Sequence, residues 1–287
     1  MSEAVISLLV AVRNEGERMQ AFLARHAEYF DDVVVVHDGK CTDDTLDIAV
    51  QFPNVCYYER PGRHNPFPHR EWALHNVIPH GNWVAVFDPD ESLSDELLLE
   101  LRDKLVSAAD SVNADAIVVT QRCLVDDVEA WSVPVWRIFK NTGEVHYPEH
   151  PHAGPEGLTK AVSYPEYVYE HRNSSIAYPS KVRRRNAHYR RIIAADPNSS
   201  RRVAWEKGME MYPKVQAILD AAGVSLEVLD RPLKRLGSEM CDRLSDELGI
   251  ETSEELAEGD TEYIASVLDV SESSVRKMQS YARRQLG

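Results

Sequence analysis

Residues 83–92 read WVAVFDPDES. Trp83 to Phe87 form an apolar run of strand length. Three acids follow within four residues: Asp88, Asp90 and Glu91, with Pro89 between the first two. Carboxylates this close repel one another and resist burial. A hydrophobic strand ending in such a group is expected to meet something positive. The competing reading is an acidic loop capping the next helix, since Ser92 and Ser94 are good N-cap residues.

The flanking sequence weighs between them. VISLLVAV (5–12) is continuously apolar, as in a strand buried on both faces. NEGERMQAFLARHAEYF (14–30) carries Met19, Phe22, Leu23 and Phe30 at near-helical spacing. DDVVVVHDG (31–39) is a second buried strand, and CTDDTLDIAVQF (41–52) reads as a helix with Thr42 as candidate cap. NVCYYER (54–60) is a third strand, and HREWALHNVI (69–78) a helix after a proline-rich loop. NWVAVFD (82–88) is the fourth strand. SDELLLELRDKLVSAAD (94–110) is a helix begun by Ser94, and ADAIVVTQRCLV (114–125) a further strand. Strand and helix alternate, which predicts an α/β domain with a mainly parallel sheet flanked by helices. Ligands bind such sheets beyond the carboxyl ends of the strands. Arg13-Asn14-Glu15, His37-Asp38-Gly39 and Asp88-Pro89-Asp90 all fall at predicted strand ends, which favours a functional reading of the acids.

The 287 residues suit one large domain, or one domain plus a small module. Hydrophobic residues make up 43%, enough for a packed core, and no run approaches a membrane span. The N-terminus lacks the basic start and cleavage site of a signal peptide. Four cysteines (Cys41, Cys56, Cys123, Cys241) are scattered without metal-type pairing, so free thiols and a cytoplasmic location are expected. The net charge of −15 argues against nonspecific nucleic-acid binding. Of 32 basic residues 23 are arginine. An acidic, lysine-poor surface fits a halophilic-like protein, and equally a GC-rich genome. From about residue 131 the chain becomes irregular and aromatic and reads as strands and a long loop, with His146, His150 and His152 close together, and past residue 200 it reads as helices.

Roughly residues 4–195 resemble the inverting, GT-A-fold glycosyltransferases of family 2. VAVRNEGERMQAFLARH is similar to the family's opening strand and helix. VVVVHDGKCTDDTLDIA is similar to its strand-Asp-Gly-Ser-Thr-Asp-x-Thr segment, with Lys40-Cys41 replacing the usual residues. HREWALHNVIPHGNWVAVFDPDE resembles the arginine-bearing helix and the strand ending in an Asp-x-Asp motif. VWRIFKNTGEVHYPEHPH resembles the late Arg-x-Phe-Arg segment that leads to a histidine. Each motif is common; four in order at matching positions are specific.

The resemblance implies transfer of a sugar from a nucleotide-diphosphate sugar, with Mg²⁺ or Mn²⁺ neutralising the departing diphosphate. It places Asp88 near the sugar and ribose and Asp90 on the metal, with Asp88, His152 and His171 as further candidate ligands. Asp38 is expected to contact the nucleobase, Ala11, Arg13 and Glu15 to line the nucleotide pocket, and Arg70 to face the pyrophosphate. Ala153 follows His152 where the family often has glutamate. An inverting enzyme needs a general base; Glu149, Asp126, Asp127 and Glu156 are candidates, Glu149 preferred for its place in the histidine-rich loop. Plainer roles stand beside these: Asp38 as a turn residue, Asn14-Glu15 as a helix start, Arg70 in a surface ion pair, the histidines as structural.

The expected domains are a GT-A domain (1–195), a helical connector (196–231) and a small all-α module (232–287). The last resembles a helix-hairpin-helix, with Leu236-Gly237 opening a hairpin, but LDVSESSVRKM lacks the Gly-x-Gly that brings amides to a DNA phosphate. Its acidity favours protein contact or oligomerisation over DNA. The acceptor, whether glycan, lipid or protein, is not specified. Two other functions compete: a catalytically silent GT-A-fold binding or structural protein, and a sugar nucleotidyltransferase. The latter needs a glycine-rich phosphate loop, and VAVRNEGER has a single glycine.

Overall fold

The structure is a computed structural model that describes residues 4–63, 65–148 and 154–173, isolated positions from 217 to 257, and 259–286 except 269. The chain divides into two compact units, Met1–Leu124 with Trp131–Arg172, and Val125–Ala130 with Asn173–Gly287.

The first unit is built on a mixed α/β sheet. Its strands are β1 (Ile6–Val12), β2 (Asp32–Asp38), β3 (Val55–Arg60), β4 (Trp83–Val86), β5 (Glu91–Leu93), β6 (Ala116–Val125), β7 (Val128–Lys140) and β8 (Ala161–Asn173), in the order β3-β2-β1-β4-β7-β6-β8-β5. β1 pairs in parallel with β2 and β4, and β2 with β3; β7 runs antiparallel to β4, and β8 to β5. β6 falls on the strand expected over 114–125, and the long β7 and β8 are strands of the segment expected to hold strands and a long loop from about residue 131.

The apolar runs segregate with period two because successive side chains on a strand point to opposite faces. Ile6, Leu8, Val10, Val33, Val35, Trp83, Ala85 and Phe87 pack on one face with Met19, Phe22 and Leu23 of α1 (Gly16–His26). Leu97 and Leu98 of α4 (Asp95–Glu100), with Leu101 and Leu105 of the π-helical turn that leads into α5 (Ser107–Ser111), join the same cluster. Leu9, Val34, Val36, Val84 and Val86 face the other way, onto Phe67, Ala73 and Leu74 of α3 (Phe67–Asn76). Burial on both sides is why these strands are apolar throughout.

Ser94 caps α4, its hydroxyl accepting from the Leu97 amide at 3.2 Å. The predicted Thr42 cap does not form. The helix after β2 is shorter, α2 (Thr45–Ala49), and the Thr42 amide instead donates to Asn14 Oδ1 at 3.0 Å. The second unit contains α6 (Thr261–Val267) and α7 (Glu272–Leu286). Ile250, Leu256, Ile264, Leu268 and Val275 share its buried cluster. Leu236, Gly237 and Leu248 lie outside the described residues.

His26 joins α1 to β5. Its Nδ1–H donates to the Phe22 carbonyl at 2.7 Å, and its Nε2 accepts from the Leu93 amide at 3.2 Å. This double bond needs the neutral ring, which is 1% exposed; burial lowers its pKa to about 4. Against an unfolded value near 6.5, the unfolded chain takes up the proton first as the medium acidifies. The contribution, about 3 kcal/mol, is complete above pH ~6.5 and lost as pH falls towards ~4. Urea unfolding should show the wild type losing about 2 kcal/mol more than His26→Gln between pH ~7 and ~4.5; equal losses would remove this account.

Candidate active site

The Asp88–Glu91 stretch is a tight turn at the end of β4. The Glu91 amide donates to the Asp88 carbonyl at 2.9 Å, and the Glu91 carboxylate reaches back to accept from the Asp88 amide, also at 2.9 Å. Proline suits the second position of such a turn because its φ is preset. The two aspartates are thereby aimed at different partners.

Asp88 faces two arginines. Arg70 Nη2 of α3 donates to its Oδ1 at 2.5 Å, and Arg137 Nη1 of β7 lies 3.8 Å from its Oδ2. Arg137 donates through Nη2 to Glu91 Oε1 at 2.7 Å and through Nε to the Tyr169 hydroxyl at 3.2 Å. Glu91 is 3% exposed. Burial raises its pKa, Arg137 opposes that rise and Asp88 adds to it. Burial also works against the Arg137 charge, but Glu91 first, then Tyr169 and Asp88, hold its pKa well above the ordinary guanidinium value. Asp90 faces β8 instead: its Oδ2 lies 3.1 Å from His171 Nε2, while His171 Nδ1 meets the Gln121 amide nitrogen at 3.3 Å.

A second centre forms two strands away. Asp38, 6% exposed at the end of β2, accepts from the Arg63 amide at 2.5 Å through Oδ1. His69 Nε2 lies 2.9 Å from that oxygen, close enough for an ion pair but misdirected for a hydrogen bond. Neither ring nitrogen of the buried His69 has a hydrogen-bond partner among the described residues. A cleft of about 290 Å³ opens here, lined by Arg60, Pro61, Arg63, Asn65, Pro68 and His69. Gly39, whose amide donates to the Arg60 carbonyl at 2.8 Å, has φ +87°, a left-handed conformation that favours glycine. His69 and Arg70 are neighbours on α3, about 100° apart around the helix, so one reaches the end of β2 and the other the end of β4.

Between them lies the end of β1. Ala11 is buried opposite Val36, and Arg13 is half-buried. The Asn14 amide donates to His37 Nε2 at 3.1 Å, whose Nδ1–H donates to the Gly39 carbonyl at 2.9 Å. Burial raises the Glu15 pKa; Arg18, 2.9 Å away, opposes the rise, and Asp90 and Asp88 add to it, so Glu15 shares their field. Glu15 makes no side-chain cap for α1. Asp43 supplies one from the β2–α2 loop, accepting from the Gly16 amide at 2.9 Å and from the Thr45 hydroxyl and amide at 2.6 and 3.0 Å.

Residues 7–157 match the model of glycosyl transferase family 2. The chain belongs to that family. None of the curated proteins matches it. Similar solved structures include Staphylococcus aureus TarS residues 1–349, 14% identical, covering 98% of this chain and 92% of that one at a TM-score of 0.43. A mycobacterial protein is 14% identical over 64% of this chain and 73% of its own, at 0.45. Mycobacterium tuberculosis glucosyl-3-phosphoglycerate synthase, crystallised with Mn²⁺, UDP and glucosyl-3-phosphoglycerate, is 16% identical over 42% and 44%, at 0.31.

This family 2 glycosyltransferase brings Asp88, Asp90, Arg70 and His171 into one strand-end cluster with Glu15 in its field, and sets Asp38 beside the cleft. Glu149 and His152 lie outside the described residues. Asp126 (φ 48°) and Asp127 (φ 64°) are the turn of the β6–β7 hairpin, and Glu156 pairs with His146 at 3.3 Å. Among the described residues no three His, Cys, Asp or Glu side chains form a metal cluster. Arg137, His69 and Asp43 had no individual role in the sequence reading, whereas Glu91 was one of the three acids expected to meet a positive group and meets Arg137. Arg137 stands in VWRIFK, the segment similar to the family's Arg-x-Phe-Arg, and that likeness was the signal that could have singled it out.

Asp43→Ala should cost about 1–2 kcal/mol by urea unfolding, because it strips the α1 N-terminus of its acceptor. Asp43→Asn should recover part of that loss, since its amide oxygen still accepts.

Proposed function

We propose that the chain transfers a sugar, with inversion, from a nucleotide-diphosphate sugar to an acceptor hydroxyl, using a divalent cation held at Asp90. The observation that carries this reading is the Asp88–Glu91 turn, which splits its two aspartates between an arginine pair and a histidine. Asp90 and His171 offer one carboxylate and one imidazole, a donor set that fits Mn²⁺ or Mg²⁺ when phosphate oxygens and water complete the shell. The cation would supply charge for the leaving diphosphate. Gln121 can serve either ring tautomer: turned to present its oxygen, it would accept Nδ1–H and leave the Nε2 lone pair for the metal.

Asp88, with both oxygens near arginine, is better placed to orient the nucleotide sugar than to bind metal. Arg70 stands where a phosphate oxygen could compete for its guanidinium. Asp38 and the cleft beside it would take the nucleobase, with Ala11, Arg13 and Glu15 along the nucleotide. Glu149 is retained as the general base that takes the acceptor proton. No described helix is long and apolar enough to cross a membrane, and Cys41, Cys56 and Cys123 are free thiols, which fits a cytoplasmic enzyme. Residues 232–287 would serve protein contact, as their acidity disfavours DNA.

The test is release of nucleoside diphosphate from a panel of nucleotide sugars in Mn²⁺, with and without chelator. Release with no donor in the panel would overturn the proposal. Asp90→Ala should abolish the metal-dependent part of nucleoside diphosphate binding measured by calorimetry, with the fold intact. Asp38→Ala should weaken binding about tenfold or more with or without metal, because a base contact does not pass through the cation. Loss of only the metal-dependent part in Asp38→Ala would mean that its role is misassigned.

A further inference from the structure

We infer that Glu91 and Arg137 are positioning residues, a buried ion pair that fixes Asp88 in register for the donor. The inference rests on the proposed donor site but concerns two residues given no role there. Glu91 divides its two oxygens: Oε2 accepts the Asp88 amide at 2.9 Å and Oε1 accepts Arg137 Nη2 at 2.7 Å. Arg137 extends its other arm towards Asp88 Oδ2 at 3.8 Å and to the Val86 carbonyl at 3.4 Å. Asp88 is therefore held at its main chain by one member and at its carboxylate by the other.

Every anchor of this frame belongs to a strand. Glu91 is 3% exposed and begins β5, Arg137 lies within β7, and the Arg137 Nε–H ends on Tyr169, whose ring packs edge-on against Phe87 at 5.0 Å. β7 pairs with β4, so the guanidinium reports the position of the strand that carries Asp88. These contacts also satisfy the remaining lone pair and N–H groups of the buried pair, so stability and positioning are separated by variants rather than by the contacts alone. Apolar replacement of a buried pair is often neutral for folding; here it should cost function.

Two double variants separate the roles. Glu91→Leu with Arg137→Met removes both holds, whereas Glu91→Gln with Arg137→Met keeps an acceptor for the Asp88 amide. The first should melt near the wild-type temperature. Its Asp88 amide should exchange about tenfold faster by hydrogen-exchange mass spectrometry on a peptide covering residues 86–93. Its kcat/KM for donor hydrolysis should fall about a hundredfold, the scale of a small misplacement at a reacting centre. The glutamine variant should regain about tenfold of that loss and slow the exchange. Wild-type exchange or wild-type turnover in the folded leucine variant overturns the inference, as does an equal loss in both. If the leucine variant does not fold, Arg137→Lys decides: it keeps a charge against Glu91 but loses the second arm, so the Asp88 amide should stay protected while kcat/KM drops about tenfold, and wild-type turnover would refute the role. A wild type silent towards every donor counts against the proposed function instead, and amide exchange alone then decides whether the pair holds Asp88.

Discussion

Removing three carboxylates from water at the end of a buried strand is costly unless each meets a positive or hydrogen-donating group. Asp88, Asp90 and Glu91 meet that condition in three different ways. Asp88 has Arg70 and Arg137, Asp90 has His171, and Glu91 has Arg137 and a backbone amide. Breaking a buried pair such as Glu91–Arg137 costs about 3–5 kcal/mol, against about 0–1 for an exposed one such as Arg276–Glu272. The antiparallel pairing of β7 with β4 brings Arg137 to where the acids are.

α3 ties this centre to the one at Asp38. Its inner face is fixed by Phe67, Ala73 and Leu74 in the sheet-facing core, and its C-terminal carbonyls are held by Asn141, whose side-chain amide donates to Leu74 and Ile78 at 2.8 Å each. Asn141 follows β7 directly, so the strand that delivers Arg137 also secures the helix that delivers Arg70. The helix cannot shift along its axis without moving His69 and Arg70 together. Both strand ends thus depend on one packed element, which suits the two-part donor site proposed above.

The loops after β1 and β2 are held by polar contacts rather than by packing. Asn14, His37, Asp43 and Thr45 satisfy the amides freed where strand gives way to helix. The Asp43 charge illustrates the balance: partial burial raises its pKa, yet the bonds from Thr45 and Gly16 bring it below the ordinary carboxylate value. Arg13 and Glu15, proposed to line the nucleotide, are carried on backbone that these contacts hold.

Much of the fold was legible in the chain because its signals are local. Continuous apolar runs marked β1, β2 and β4 as strands buried on both faces, helical spacing marked α1 and α4, and the ordered motifs marked the family and the strand-end acids. Other features depended on partners far along the chain. Arg137 reaches Glu91 across 46 residues, His171 meets Asp90 across 81, and His26 bonds Leu93 across 67. Thr42 resembled a helix cap locally, but α2 begins three residues later at Thr45, whose amide is taken by Asp43. By itself the sequence determined which residues could form strands and where their carboxylates would cluster, because side-chain period and charge are properties of neighbours. Only the tertiary structure decided which positive group each carboxylate meets, because strand order and register bring those groups together and neither is encoded in any one stretch.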